Sequence, residues 1–98
     1  MKKYIILFSL ITLLSCGVSP GDRVKISSDI PAADSRMHAE DLDYYIKNDK
    51  KEAMRLYYLG HAFRLEKGET IRVLYVDKIY AQISYKNEIY WVNKKNIK

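Results

Sequence analysis

A regular alternation of polar and apolar residues between positions 62 and 92 constrains the fold of this chain more than any other feature. Alternation with a period of two is typical of strands that bury one face. The turn sequences Lys67-Gly68 and Lys86-Asn87 interrupt the pattern at even spacing. The sequence therefore predicts an antiparallel meander with strands at 62–65, 70–76, 80–85 and 88–92.

One strand and two helices are predicted upstream of this meander. Residues 23–26 alternate polar and apolar side chains, which favours a short first strand. From 32 to 59 the apolar spacing becomes helical, and Asp49 followed by Glu52 resembles a capping box. The sequence predicts a break at this point, with helices at 38–47 and 50–59.

The last third of the chain resembles a known small fold. The motifs are Leu65-Glu66-Lys67-Gly68-Glu69-Thr70-Ile71-Arg72-Val73-Leu74, then Ala81-Gln82-Ile83, then Tyr90-Trp91-Val92. They look like a bacterial Src-homology-3-like (SH3-like) barrel over roughly residues 62–98. The resemblance implies a mostly β fold, a small antiparallel SH3-like barrel within 23–98, with a two-helix insertion after the first strand at about 34–59. The alternative is an α+β fold with a three- or four-stranded antiparallel sheet packed on helices.

The N-terminus is typical of a secretory signal. Lys2 and Lys3 precede an apolar run at 4–14, which is interrupted only by Ser9 and Thr12. A run of this length is too short to span a bilayer, because a spanning helix needs about 20 apolar residues. The sequence therefore predicts a leader that is removed on export.

The leader ends in Leu13-Leu14-Ser15-Cys16, which resembles the lipobox of bacterial lipoproteins. The resemblance implies that a signal peptidase cuts between Ser15 and Cys16, and that Cys16 carries diacylglyceryl and N-acyl chains. It divides the chain into a signal peptide at 1–15, a lipidated cysteine with a short tether at 16–22, and the domain at 23–98. Because Gly17 is not the aspartate typical of inner-membrane retention, the outer membrane is favoured in a Gram-negative host.

Charge and cysteine content narrow the class of protein further. Without Lys2 and Lys3, the chain has 15 basic and 12 acidic side chains and therefore a net charge of +3. This weak charge and the predicted export both disfavour a nucleic-acid partner. Cys16 is the single cysteine, so no intramolecular disulfide stabilises the domain.

The sequence contains no recognisable catalytic constellation. His38 and His61 have no neighbours in sequence that complete a metal or catalytic set, and Cys16 is assigned to lipid. No glycine-rich phosphate loop or nucleophile elbow is present in the sequence. We therefore expect no enzyme activity, no metal and no cofactor other than the covalent lipid.

The abundance of tyrosine suggests a binding surface. Alternation predicts that Tyr80 and Tyr90 are exposed beside Lys78 and Lys86, as an aromatic and basic face. We expect a lipid-anchored, non-enzymatic envelope protein that presents a binding module to a protein partner. A peptidoglycan-binding module and a phage- or plasmid-type exclusion lipoprotein that blocks a receptor are the alternatives.

Overall fold

A computed structural model of the chain describes residues 17–97. The elements follow in the order β1 (Arg23–Lys25), β2 (Ile30–Ala33), α1 (Arg36–Asn48), α2 (Lys50–Tyr58), β3 (Ala62–Leu65), β4 (Thr70–Val76), β5 (Tyr80–Tyr85), β6 (Glu88–Asn93) and a 3-10 turn at Lys94–Asn96. The predicted leader, the bond between Ser15 and Cys16, and the lipid attachment site lie outside the described residues. None of the helices found within 17–97 is both long enough and apolar enough to cross a membrane.

The six strands of the described chain form one antiparallel sheet in the order β1-β4-β5-β6-β2-β3. This confirms a mostly β fold with a helical insertion, and the sheet is larger than the three or four strands of the alternative. Within residues 17–97 the sheet is not closed, and β1 and β3 are its edges. Yet β3 and β4 meet at the turn 66–69, where the Glu69 N–H donates to the Glu66 carbonyl at 3.2 Å. Since three strands separate β3 from β4 in the sheet, the sheet must bend around one face.

The main hydrophobic core lies on this inner face. Val73 and Ile83 are fully buried and lie directly opposite each other on β4 and β5. The remaining buried members come from every part of the sheet and from the C-terminus: Ile26, Ile30, Ala32, Leu65, Ile71, Ala81, Val92 and Ile97. The last of them, Ile97, is 2% exposed, so the chain end contributes to the core after the 3-10 turn.

Strand β2 is the one element that the sequence did not predict. The helical spacing from position 32 and the resemblance to a barrel predict a helical insertion directly after the first strand. The insertion instead follows the second strand. Pro31 is tolerated here because β6 pairs with β2 only at Ala33, opposite Trp91, so few ladder hydrogen bonds are required on that side.

Both predicted helices and the break between them are confirmed, with bounds that differ by one or two residues. The Ser35 hydroxyl accepts the His38 backbone N–H at 3.1 Å and caps the start of α1. Asp49 ends α1 and begins α2, since its carboxylate accepts the Glu52 N–H at 3.3 Å. Gly60, with a φ of 82°, turns the chain from α2 toward β3.

Helix α1 is fixed to the outer face of the sheet, opposite the main core. Ala39 packs with Ala33 and Tyr80, and Trp91 contacts the same cluster. The Asp43 carboxylate accepts hydrogen bonds from the Tyr80 hydroxyl at 2.8 Å and from the Asn93 amide at 2.9 Å. At the start of the helix, Arg36 Nε donates to Asp77 at 2.7 Å.

Acid should weaken this attachment as Asp77 becomes protonated. The hydrogen bond from Arg36, followed by those from the backbone N–H groups of Tyr80 and Ile79, lowers the pKa of Asp77 from 3.8 to about 2. Because the folded-state pKa is the lower one, the stabilisation is complete above about pH 4 and is lost as the pH falls toward about 2. Allowing for solvent screening of the ion pair, we expect the free energy of unfolding to fall by about 1 kcal/mol over this range.

Urea denaturation at pH 5 and at pH 2.5 measures this loss. Asp77→Asn removes the charge opposite Arg36, so this variant should be less stable at pH 5 and should lose less stability on acidification. Asp41→Asn is the control and should behave as wild type, because Asp41 lies on α1 and its carboxylate has no hydrogen-bonded partner within residues 17–97. If Asp77→Asn loses as much stability between pH 5 and pH 2.5 as the wild type, another group is responsible for the loss of stability in acid.

Candidate functional site

The predicted binding face of Tyr80, Tyr90, Lys78 and Lys86 does not form one surface. Tyr90 lies directly opposite Ile83 across β5 and β6 and therefore shares the inner face with it. Tyr80 and Ile83 differ by an odd number of residues along β5, so Tyr80 lies on the outer face. The prediction that both tyrosines point to one solvent-exposed face is wrong, because the two side chains lie on opposite faces of the sheet.

Tyr80 has a structural role. It is 5% exposed, beneath helix α1, and the Arg36 guanidinium lies 5.0 Å from the centre of its ring. Burial, and then the hydrogen bond to Asp43, raises the pKa of the Tyr80 hydroxyl. Tyr80 therefore stays neutral and joins the sheet to the helix, and the prediction that it is exposed is wrong.

Tyr80→Phe should destabilise the domain by about 1–2 kcal/mol. The change preserves the packing of the ring but removes a partly buried hydrogen bond to a carboxylate oxygen. Urea denaturation gives the difference in the free energy of unfolding. Tyr44→Phe is the matched control, because Tyr44 lies on α1 and is 61% exposed, so loss of its hydroxyl should cost less than about 0.5 kcal/mol. Equal effects of the two changes would contradict the role assigned to Tyr80.

Tyr90 and Lys86 lie near a half-buried aromatic cluster. The Tyr90 ring stacks on Phe63, with centroids 4.7 Å apart and an angle of 8° between the rings. Tyr85 lies beside Phe63 at 5.8 Å, and the Lys86 ammonium is 5.2 Å from the centre of the Tyr85 ring. Lys78, in contrast, lies before β5, whereas Lys86 follows it, so the length of the strand separates the two lysines. The rings of Phe63, Tyr85 and Tyr90 pack against the main core.

The more exposed aromatic surface lies on the outer face of the sheet. Tyr75 and Ile89 are 52% and 53% exposed. The Tyr75 ring meets the Trp91 ring edge to face, with centroids 6.2 Å apart. Cross-strand pairing places six side chains in two adjacent rows, Tyr75-Gln82-Trp91 and Arg72-Ser84-Ile89. We call these six residues the outer patch.

The outer patch is bounded on two sides and carries positive charge. On one side Trp91 contacts the cluster beneath α1. On the other, Arg72 lies directly opposite Arg23 of β1, and like charges in this position disfavour folding. Within residues 17–97 neither arginine has an acidic side chain at ion-pair distance. The patch therefore combines the exposed Tyr75 ring and the half-buried Trp91 ring with the guanidinium group of Arg72.

A separate polar cluster lies where the helical insertion leaves and rejoins the sheet. Asp34 follows β2, His38 is in the first turn of α1, and His61 precedes β3. His38 Nδ1 lies 2.5 Å from Asp34 Oδ1, and His61 Nδ1 lies 2.8 Å from Asp34 Oδ2. The two imidazole rings have centroids 4.2 Å apart, at an angle of 33°. We call these three residues the Asp34 cluster.

A backbone hydrogen bond holds the two chain segments of the Asp34 cluster together, and its side chains are partly exposed to solvent. The Asp34 N–H donates to the His61 carbonyl at 2.9 Å. Burial would raise the pKa of Asp34, but the hydrogen bonds from His61 and His38 outweigh it and lower the pKa below its usual value. The carboxylate is therefore ionised, and ligand atoms of all three residues lie within 4.8 Å of one another. Carboxylate and imidazole groups in this arrangement can hold a metal ion.

Sequence spacing reveals only part of this cluster. Asp34 and His38 are four residues apart at the start of a helix, a local signal that two ligands share one face. His61 is 27 residues from Asp34 and arrives only through the pairing of β2 with β3. The expectation that His38 and His61 have no partners for a metal site considered only residues that are adjacent in sequence.

No protein-family description, curated protein or solved structure matches this chain at a significant level of similarity. The residues and their geometry therefore carry the functional proposal.

Proposed function

We propose that this chain is a lipid-anchored protein of the bacterial cell envelope whose sheet domain is a non-enzymatic binding module for a protein partner. The lipobox-like Leu13-Leu14-Ser15-Cys16, after a basic start and an apolar run, supports the anchor at Cys16. Two or three acyl chains, at about 0.8 kcal/mol per buried methylene, give lasting attachment to a membrane. In a Gram-negative host this membrane is the outer membrane, because the residue after Cys16 is Gly17 and not the aspartate that is typical of inner-membrane retention.

The tether would hold the domain close to this membrane. The Gly21 N–H donates to the Val73 carbonyl at 2.7 Å, and the Val73 N–H donates to the Asp22 carbonyl at 2.8 Å. Val18 packs against the main core. Only Gly17 therefore lies between Cys16 and the first residue packed on the domain, so less than about 10 Å of free chain would separate the lipid from the fold.

The bent sheet supports an SH3-like barrel as the finer description of the fold. The turn 66–69 joins β3 and β4, although these strands are far apart in the order of the sheet. A single core draws buried residues from all parts of the sheet. A helical hairpin inserted in a connection of such a barrel leaves the strand pairing intact, since longer loops cost little additional entropy.

The outer patch is the observation that carries the binding proposal. Its aromatic residues offer a large contact area with few rotatable bonds, and Arg72 adds a charged group that pairs with carboxylates. Such aromatic and arginine side chains are enriched at the centres of protein interfaces. A partner surface that is apolar with acidic groups at its edge would fit it best.

Two other functions share the anchor and the fold. A peptidoglycan-binding module would place cell-wall peptides on the outer patch. An exclusion lipoprotein of phage or plasmid type would instead occlude a receptor in its own membrane. The three differ in what a cell-envelope experiment recovers.

Chemical cross-linking in intact envelopes, run beside co-sedimentation with isolated sacculi, tests the proposal. We expect one discrete cross-linked protein, lost in Tyr75→Ala and retained in Tyr58→Ala, an exposed tyrosine on α2 outside the patch. Sedimentation with sacculi and no cross-linked protein would support the wall-binding alternative. A phenotype that appears only under challenge by phage or mating cells would support exclusion. Equal loss in both variants would contradict a role for the outer patch.

A further inference from the structure

We propose that the Asp34 cluster is a binding site for one divalent transition-metal ion, with Zn²⁺ as the best-fitting probe. The proposal is independent of the anchor and of the outer patch. It rests on the convergence of two imidazoles and one carboxylate from two chain segments.

The four donor atoms of the cluster face one another. Each Asp34 oxygen lies against the Nδ1 atom of a different histidine, at 2.5 Å for His38 and 2.8 Å for His61. In the metal-free state two Nδ1–H groups fit this arrangement as hydrogen-bond donors. A histidine ligates a metal as a neutral imidazole, so when a divalent cation binds, the ring proton of each histidine moves by exchange with solvent from Nδ1 to Nε2. The two Nδ1 atoms and the carboxylate then become the ligands.

The donor set selects the class of cation. Imidazole nitrogen favours Zn²⁺, Cu²⁺ and Ni²⁺, whereas Mg²⁺ and Ca²⁺ prefer a shell of oxygen ligands. Two histidines and one carboxylate leave a coordination position for water or an incoming group. The side chains of the cluster are between 23% and 41% exposed, so an ion reaches them without opening the fold.

The position of the site gives it a structural consequence. The chain leaves the sheet at Asp34, passes through both helices, and returns at His61. A bound ion therefore joins the two ends of the helical insertion, in a chain whose single cysteine rules out an internal disulfide. Metal binding should stabilise the folded state and hold the helical hairpin against the sheet.

Titration of the full chain in mild detergent with ZnCl₂ tests the site. Calorimetry should give one Zn²⁺ per chain with a micromolar dissociation constant. Millimolar Mg²⁺ should not change this constant, because it does not compete for the site. Free Zn²⁺ at a hundredfold excess over that constant should raise the midpoint of thermal unfolding by about 10–20 °C. His61→Gln should weaken binding at least 30-fold and remove most of this shift, whereas Asp41→Asn should leave both unchanged.

A measurement on the wild-type chain covers the case in which His61→Gln does not fold. His38 and His61 are the only two histidines, so the imidazole carbon-bound proton resonances report on the site alone. Both should shift and saturate at one Zn²⁺ per chain. No saturable binding up to about 100 μM Zn²⁺, binding without a shift of either histidine, or equal affinity of a folded His61→Gln would overturn the proposal and leave the cluster as a metal-free hydrogen-bonded group.

Discussion

Ile83→Ala is expected to lower the free energy of unfolding by about 2–5 kcal/mol. Ile83 is fully buried at the centre of the inner face, between Val73 of β4 and Tyr90 of β6. Truncation leaves a cavity that these strands, held by their ladder, cannot fill. The total free energy of unfolding of a small domain is only about 5–15 kcal/mol. A loss of this size should therefore leave much of the Ile83→Ala protein unfolded at 37 °C. Urea denaturation followed by circular dichroism measures the loss.

Ile89→Ala is the matched control for this change. The same atoms are removed from the neighbouring strand, at a side chain that is 53% exposed and faces Ser84 on the outer face. We expect a loss of less than about 1 kcal/mol. Similar losses at both positions would contradict the assignment of the inner face as the core. In the binding experiment the order should reverse, because Ile89 belongs to the outer patch.

Cys16→Ser is expected to abolish lipid attachment and cleavage of the leader. Without the thiol no diacylglyceryl group can be attached, and the lipoprotein pathway cannot cut between Ser15 and Cys16. The protein should then appear as an unprocessed form that retains the leader, and metabolic labelling with tagged palmitate should find no lipid. Fractionation of cells followed by intact-mass measurement distinguishes the two forms.

Ser15→Ala is the control for the anchor, because it keeps a small residue before the cysteine. This variant should be processed, lipidated and recovered with membranes like the wild type. A Cys16→Ser protein of mature length that still fractionates with membranes would contradict the anchor. Loss of lipid in both variants would show only that this region tolerates no change, and a labelled wild-type peptide beginning at Cys16 would then decide.

Local signals explain which parts of the fold were predictable. The meander was predictable because alternation and turn residues are signals that span only a few positions. The turns lie at Gly68 and at Lys86-Asn87, and both Lys86 and Asn87 adopt the positive φ that such a turn requires. The helix break was predictable because the Asp49 carboxylate caps α2 directly. Strand β2 was not, since its four residues include a proline and two alanines and are held by pairing with β3, which is distant in sequence.

The binding surfaces depended on register, which the sequence did not provide. Alternation predicts that Tyr90 is exposed, which would place the adjacent Trp91 on the core side of β6. Pairing of Gln82 with Trp91 places the tryptophan on the outer face instead, and Tyr90 faces the core beside Ile83. A shift of one residue in register exchanges the two faces of a strand. The Asp34 cluster similarly required the return of the chain to the sheet at His61.

The two proposed sites lie on different parts of one scaffold. The outer patch lies beside α1, and the Asp34 cluster fixes the start of the same helix through His38. A metal ion that rigidifies the start of α1 would therefore also stabilise one wall of the outer patch. We expect Zn²⁺ to leave the identity of the partner unchanged and to affect only the strength of binding.

Site-specific photo-cross-linking in native envelopes tests most directly whether the outer patch binds a protein partner. A photoreactive phenylalanine analogue is placed at Tyr75 in one strain and at Tyr58, which is 90% exposed on α2, in another. We predict one discrete protein adduct from position 75 and none from position 58. Equal adducts from both positions, or cell-wall fragments as the only adduct from position 75, would contradict the proposal that the outer patch binds a protein.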